Sequence, residues 1–200
     1  MTADRVTGVV LAAGRSTRLG TPKQLLPYAG TTLLGATLEV ARHCPFDQLI
    51  VTLGGAADDV RAAVGLDGVR VVVADDFGSG CSSSLRAALA HVDARADGIV
   101  LMLGDQPGVQ PGTVERLIAE RQGRSVAVCR YSDGLGHPFW LGHSVFDDLR
   151  RLHGDKGVWK LVESAGSRGT RTEVKVDRHI PLDVDTWADY ERLLDTAAAR

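Results

Sequence analysis

VVLAAGRSTRLGTPKQLLP, from Val9 to Pro27, opens as an apolar strand and breaks at once into small residues followed by Arg15, Arg18 and Lys23. A strand without a polar face is covered on both sides, as in a parallel sheet packed between helices. In open α/β sheets of that kind, ligands sit beyond the carboxyl ends of the strands. Ala12, Ala13 and Gly14 carry little side chain, so a ligand can approach the backbone there and be held by its N–H groups. Arg15, Arg18 and Lys23 then offer positive charge to an anion with several oxygens, such as a triphosphate. The plainer reading is a solvated loop whose cations serve solubility; the coincidence of small residues and cations at a strand end favours the anion. Neither the dinucleotide pattern G-x-G-x-x-G nor the Walker pattern G-x-x-x-x-G-K-[ST] is present, which disfavours a hydride-transfer enzyme and a P-loop hydrolase.

Outward from this stretch, apolar or β-branched runs alternate with helical spacing. Thr7–Ala12, Gln48–Leu53, Val69–Ala74, Gly98–Leu103 and Ser125–Tyr131 read as strands, and Thr32–His43, Ala57–Val64, Ser83–Val92 and Thr113–Arg121 as helices. This alternation predicts an α/β sheet with right-handed crossovers. After Tyr131 the rhythm loosens. His137–Leu141 and Thr172–Val176 read as strands, Ser144–Leu152 and Lys156–Glu163 as short helices, and Thr186–Ala199 as a closing amphipathic helix. The second half is expected to supply an antiparallel strand and a substrate-facing part, with residues 132–182 turned to the acceptor within a single domain spanning 1–200.

Composition narrows the class. The 200 residues suffice for one sizeable core, and 44% hydrophobic with 24% charged residues is ordinary for a globular protein. A formal net charge of −2 gives no global field for nucleic acid or a membrane surface, so neither partner is expected and any anion site must be built locally. Cys44, Cys81 and Cys129 are odd in number and widely spaced, which argues against disulfides or structural zinc; each is expected to be a small buried hydrophobe. The apolar run Val6–Ala13 is at the short limit for a signal peptide and is followed by charge, and no segment approaches a membrane span. A cytoplasmic enzyme or binding protein is the expectation.

Three further stretches can carry chemistry. In IVLMLGDQP, Ile99 to Pro107, a buried strand presents Asp105 at the same sheet edge, and Mg²⁺ prefers one or two carboxylates plus phosphate oxygens. A turn cap before Pro107 is the plainer role. In PLDVDTW, Pro181 to Trp187, Asp183 and Asp185 alternate with apolar residues and point to one side, so either can join Asp105 at a metal; capping of the last helix by Asp185 or Thr186 is the competing reading. In GSGCSSSLR, Gly78 to Arg86, hydroxyls and free N–H groups at a helix start can read a base or ribose, and an ordinary N-cap explains only part of the cluster.

LAAGRSTRLGTPKQLLP, GCSSSLR, GDQP, GHP (Gly136–Pro138) and GDKG (Gly154–Gly157) occur in the order found in the molybdenum cofactor nucleotidylyltransferases, and the sequence most resembles the cytidylyltransferases among them. The resemblance implies a three-layer α/β/α sandwich, Rossmann-like, with a mainly parallel mixed sheet of the nucleotide-diphospho-sugar transferase type. It also implies transfer of CMP from CTP to the terminal phosphate of a molybdopterin-type cofactor, with pyrophosphate released and Mg²⁺ as cofactor. Arg15, Arg18, Lys23 and Asp105 would be catalytic. The nucleotide would lie against Leu11, Ala12, Ala13, Gly14, Arg15, Lys23, Gly54, Ser82, Ser83, Ser84 and Asp105. Asp105 and Asp185 would hold the metal, and His137, Asp155, Lys156 and Lys160 would face the acceptor. A molybdoenzyme would be the client for the product.

The family usually follows its G-D-x-G with Ala-Arg, whereas Val158, Trp159 and Lys160 stand here; Lys160 would substitute as a point charge without a planar fork. Trp159 has two readings, a platform for a pterin ring or a core filler, and His137 is either an acceptor contact or a satisfied histidine before Pro138. Competing functions are transfer to another phosphorylated acceptor (a GTP-dependent phospholactate type or a sugar phosphate) and a non-catalytic cofactor carrier.

Overall fold

The computed structural model describes residues 4–74, 76 and 80–198. Its centre is β1 (Val6–Ala12), every residue of which is buried. β1 pairs in parallel with β4 (Gln48–Leu53) on one side and β6 (Gly98–Leu103) on the other. With β5 (Arg70–Val73), β7 (Val126–Tyr131), β8 (Gly134–Gly142) and β9 (Arg171–Lys175) they form one seven-stranded sheet ordered β5-β4-β1-β6-β8-β7-β9. Only β8 runs antiparallel to its neighbours β6 and β7, while β7 and β9 pair in parallel. The expected mixed, mainly parallel sheet is therefore present, with its antiparallel strand in the second half. A small hairpin of β2 (Pro27–Tyr28) and β3 (Thr31–Thr32) stands apart.

Alternation along the strands divides the core into two faces. Val10 and Ala12 of β1, with Val51 and Met102, pack beneath α1 (Leu33–Arg42), α2 (Ala57–Ala63) and α4 (Pro111–Glu120). Val9 and Leu11, with Ile50 and Leu101, pack beneath α3 (Cys81–Leu89), α5 (Phe146–Arg150) and α6 (Gly157–Ser167). These are the three layers of the sandwich. A third cluster joins α7 (Trp187–Ala198) to the first loop, through Leu193, Val184, Leu19, Leu26 and Leu33. Val184, with no exposed surface, thereby anchors the stretch between Asp183 and Asp185.

The departures from the sequence reading are local. β8 begins at Gly134, not at His137. At Gly136 an added Cβ would lie 3.1 Å from the Tyr131 ring and 3.2 Å from the Ile180 side chain, so the strand packs tightly there. α3 starts two residues early, at Cys81, and α6 extends to Ser167. The expected helix over Ser144–Leu152 shortens to α5, preceded by a 3₁₀ turn at His143–Val145. Lys23–Leu25 form another 3₁₀ turn. Cys44 and Cys129 are buried, and burial pushes both thiols up to about 12. Cys81 departs from the expected core role: it is half-buried, its thiol raised to about 11 by burial.

Candidate active site

The loop after β1 is shaped from beneath by Gln24, a polar residue only 5% exposed. Its Nε2 donates to Ala12 O at 2.6 Å and Gly14 O at 3.1 Å. These two bonds fix the path of the chain as it leaves β1 and enters the small-residue loop. Ser16 turns the chain, accepting from Leu19 N and Gly20 N through its carbonyl and from Lys23 N through its hydroxyl. Lys23 follows, so the turn fixes where the ammonium starts.

The second wall comes from β6. Gly104 N donates to Leu11 O at 2.8 Å, and Thr37 Oγ1 of α1 donates to Gly104 O at 3.1 Å. A Cβ on Gly104 would meet the Ala12 Cβ at 2.8 Å, so only glycine allows this approach. Asp105 consequently emerges beside Lys23, whose Nζ donates to Asp105 Oδ2 at 2.5 Å. The same Nζ donates to Asp185 Oδ1 at 2.9 Å and Val184 O at 2.9 Å. Burial by itself would lower the Lys23 ammonium, but the two carboxylates beside it more than offset this and hold it above its ordinary value. Burial pushes the Asp105 carboxyl up, Lys23 opposes that rise, and the charge of Asp183 adds to it.

The competing role for Asp185, capping α7, belongs to its neighbours. Asp189 Oδ2 accepts from Thr186 N at 2.9 Å and Thr186 Oγ1 at 2.7 Å, and Asp189 N donates back to Thr186 Oγ1 at 3.3 Å. This reciprocal cap leaves the Asp185 carboxylate to Lys23 and, at 3.4 Å, to Arg18.

A cleft of about 540 Å³ lies between these walls. Of the residues expected to touch nucleotide or metal, it is lined by Leu11 to Arg15, Arg18, Lys23, Ser84, Asp105 and Asp185, with Asp183 beside them. From the acceptor set it includes Asp155. The structure places the remaining expected residues outside the cleft lining. Ser82 is fully buried and its hydroxyl donates to Gly154 O at 2.6 Å; the Ser83 hydroxyl donates to Asp76 O at 2.6 Å and Gly80 O at 2.8 Å. Both hydroxyls are thus occupied by backbone carbonyls, and of the three serines only Ser84 lines the cleft. Gly78 and Ser79 lie outside the described residues. Gly54 is buried and not part of the cleft lining, its carbonyl accepting from Ala57 N. His137 is 8% exposed, stacked on Phe139 at 3.9 Å with Trp159 edge-on at 5.8 Å, and burial holds its imidazole down at about 3. It is a packed neutral ring, and Trp159 joins it as filler against Phe139 at 4.9 Å. Lys156 and Lys160 are exposed on the first turn of α6 and outside the cleft lining.

The loop carrying GDKG is strapped to the start of α3. Asp155 Oδ1 accepts from Cys81 N at 3.0 Å, Gly154 O accepts from Ser82, and Arg86 Nη1 donates to Leu152 O at 2.5 Å. Sequence reasoning found both ends of this strap but not their contact, which joins residues some 70 positions apart through glycines and backbone groups (Ser82 to Gly154, |i−j| 72).

The pair Asp105 and Asp185 fits a hard divalent cation, because two carboxylate oxygens already converge on one positive centre. Among the described residues no three His, Cys, Asp or Glu side chains group as a metal site. Magnesium commonly completes one or two carboxylates with water and phosphate oxygens.

Gln24, Thr37 and Gln106 were missed from sequence. Gln106 is 4% exposed and donates to Pro181 O at 3.1 Å, tying the G-D-Q-P turn to the segment that carries Asp183 and Asp185. The available signal was a polar residue at an apolar position: Thr37 shares the buried face of α1 with Leu33, Leu34, Leu38 and Ala41.

A cation-rich loop at the end of β1, closed by one carboxylate from the end of β6 and another from the segment before α7, is the layout of the nucleotidyltransferases. Within that class the chain belongs to the MobA-like NTP transferase domain family, whose model matches residues 8–171. Among relatives, nicotine blue oxidoreductase of Paenarthrobacter nicotinovorans is 38% identical over 207 residues, covering 94% of this chain and 96% of that protein. Rv0371c from Mycobacterium tuberculosis H37Rv superposes with a TM-score of 0.91 at 64% identity over 98% of this chain and 100% of that one. The same protein in complex with manganese matches at 0.87 and 61% identity, over 96% and 99%. A nucleotidyl transferase from Methanothermobacter thermautotroptrophicus (Mth528) matches at 0.84 and 27%, over 98% and 99%. No helix among the described residues is long and apolar enough to cross a membrane.

Proposed function

We propose that this protein transfers CMP from CTP to the terminal phosphate of a molybdopterin-type acceptor, with Mg²⁺ as cofactor and pyrophosphate as the second product. The observation that carries the reading is the convergence of Asp105 Oδ2 and Asp185 Oδ1 on the Lys23 ammonium, at 2.5 and 2.9 Å, in a cleft bordered by Arg15 and Arg18. Membership in an NTP transferase family and a relative crystallised with manganese support it.

In the reaction an acceptor phosphate oxygen attacks the α-phosphorus of the triphosphate. The bond from that phosphorus to the bridging oxygen breaks, and pyrophosphate leaves with the electron pair. No protein nucleophile is needed. Backbone N–H groups of the small-residue loop after β1 would bind phosphate oxygens, and Arg15, Arg18 and Lys23 would offset charge that grows on the leaving pyrophosphate. Asp105 and Asp185 would hold Mg²⁺, whose charge would supply the further neutralisation that two approaching anions need. Most of the remaining acceleration is orientation of the two substrates. The single domain spanning 1–200 would present residues 132–182 to the acceptor, with Asp155 as their member in the cleft. Lys156 and Lys160, exposed outside the cleft lining, would face the acceptor away from its reacting phosphate. A molybdoenzyme in the cytoplasm would receive the product.

A second reading, an oxidoreductase, is carried by the 38% identity to nicotine blue oxidoreductase. The test is a matrix of the four NTPs against molybdopterin-type, sugar-phosphate and phospholactate-type acceptors, following pyrophosphate, with nicotinamide cofactor oxidation as a parallel arm. Pyrophosphate release specific to CTP and the molybdopterin-type acceptor is expected. Release with another pair only, or cofactor oxidation without pyrophosphate, would replace the proposal.

A further inference from the structure

The Lys23 ammonium has three N–H groups and all three are engaged, by Asp105 Oδ2, Asp185 Oδ1 and the Val184 carbonyl. The side chain is only 15% exposed, so this is a buried seat, unlike the Arg18 contact to Asp185 at the rim. The oxygens that hold the ammonium are the same ones that fit a divalent cation. Two cations cannot share that pair of carboxylates without direct repulsion. The lysine stem also runs along the phosphate loop, with Cε 3.7 Å from where a Gly14 Cβ would be. Its end can therefore turn from the carboxylates to an anion lying on that loop.

We infer that the Lys23 ammonium and the divalent cation compete for Asp105 and Asp185, and that a bound triphosphate, by drawing Lys23 to itself, is what opens the seat to metal. Lys23 is thus specificity-determining: the site accepts metal together with triphosphate and discriminates against free metal. The inference rests on the nucleotidyl-transfer reading above, but its test does not depend on turnover. Free Mn²⁺ is titrated, by its electron paramagnetic resonance signal at pH 8 and without nucleotide, into the wild-type chain and into Lys23→Met. The variant is expected to bind Mn²⁺ at least about tenfold more tightly, a coupling of ordinary size between competing ligands. Adding Asp105→Asn to it should remove the gain. Lys23→Gln, which keeps a donor but no charge, is the second variant should Lys23→Met not fold, and it should show a gain of the same sign. Mn²⁺ binding unchanged or weakened in both folded variants would overturn the inference. That result would leave nucleotidyl transfer standing; transfer itself fails only in the pyrophosphate assay.

Discussion

Replacing Gln24 with Met separates the shape of the phosphate loop from the stability of the fold. Met has nearly the same length and fills the same space without a donor. The loss is two hydrogen bonds, to Ala12 O at 2.6 Å and Gly14 O at 3.1 Å. Gly14 is exposed and its carbonyl can turn to water, whereas Ala12 is 6% exposed and cannot. One stranded buried acceptor costs about 1–3 kcal/mol. Against it, Gln24 Oε1 is buried without a partner, and removing that oxygen returns a comparable amount. The net change in stability should therefore be about 0–2 kcal/mol, a fall in Tm of no more than about 8 °C for a chain this size. Function should suffer more. With Gly14 O released, the loop that follows β1 is no longer held in one conformation, and KM for the triphosphate should rise at least about tenfold, the equivalent of one lost charge-assisted bond. Thermal unfolding and pyrophosphate-release kinetics on one preparation provide both numbers. A KM within twofold of wild type in a folded variant would refute the role given to Gln24, while a collapse in Tm would show the two carbonyls to be structural supports first.

Two further outcomes follow from geometry. Gly80 has φ +98°, and a Cβ there would lie 2.6 Å from Asp155 Oδ1 and 2.9 Å from Asp155 N. Gly80→Ala should cost about 1–3 kcal/mol in backbone strain alone and detach the strap, seen as faster amide exchange at residues 152–157; unchanged exchange would contradict the contact. His137 is held neutral at about 3 against an ordinary 6.5, so the unfolded chain binds a proton that the folded one refuses. Stability is full above pH 6.5 and is lost as pH falls towards 3, by up to about 1.4 kcal/mol per pH unit from this group. Urea titrations should show wild type falling more steeply than His137→Phe between pH 6 and 4, and parallel curves would remove His137 as the cause.

The central strands were legible because physics leaves them no alternative. A run such as β1, buried at every position, can only sit inside a covered sheet. The site was legible where charge interrupts such a run, which is why Arg15, Lys23 and Asp105 were found together although 82 positions separate Lys23 from Asp105. What stayed hidden depends on groups that sequence does not display. The sequence reading starts β8 at His137, whereas the strand begins at Gly134, because its first three residues are two glycines and a leucine that show no apolar alternation and are held by pairing with β7. Ser82 and Ser83 looked like ligand hydroxyls because nothing in the sequence reveals that Gly154 O, Asp76 O and Gly80 O would take them. Gln24 and Gln106 act on backbone carbonyls, whose positions exist only after folding.

Asp105 is the residue on which metal-assisted transfer in this cleft depends most directly. With CTP, Mg²⁺ and a molybdopterin-type acceptor, Asp105→Asn should lower pyrophosphate release at least about 100-fold, the scale on which lost charge stabilisation slows such a step. Its unfolding midpoint should remain cooperative, since Asp185 and Val184 O still hold Lys23. Turnover undiminished in the folded variant would contradict the metal-assisted transfer proposed for this cleft.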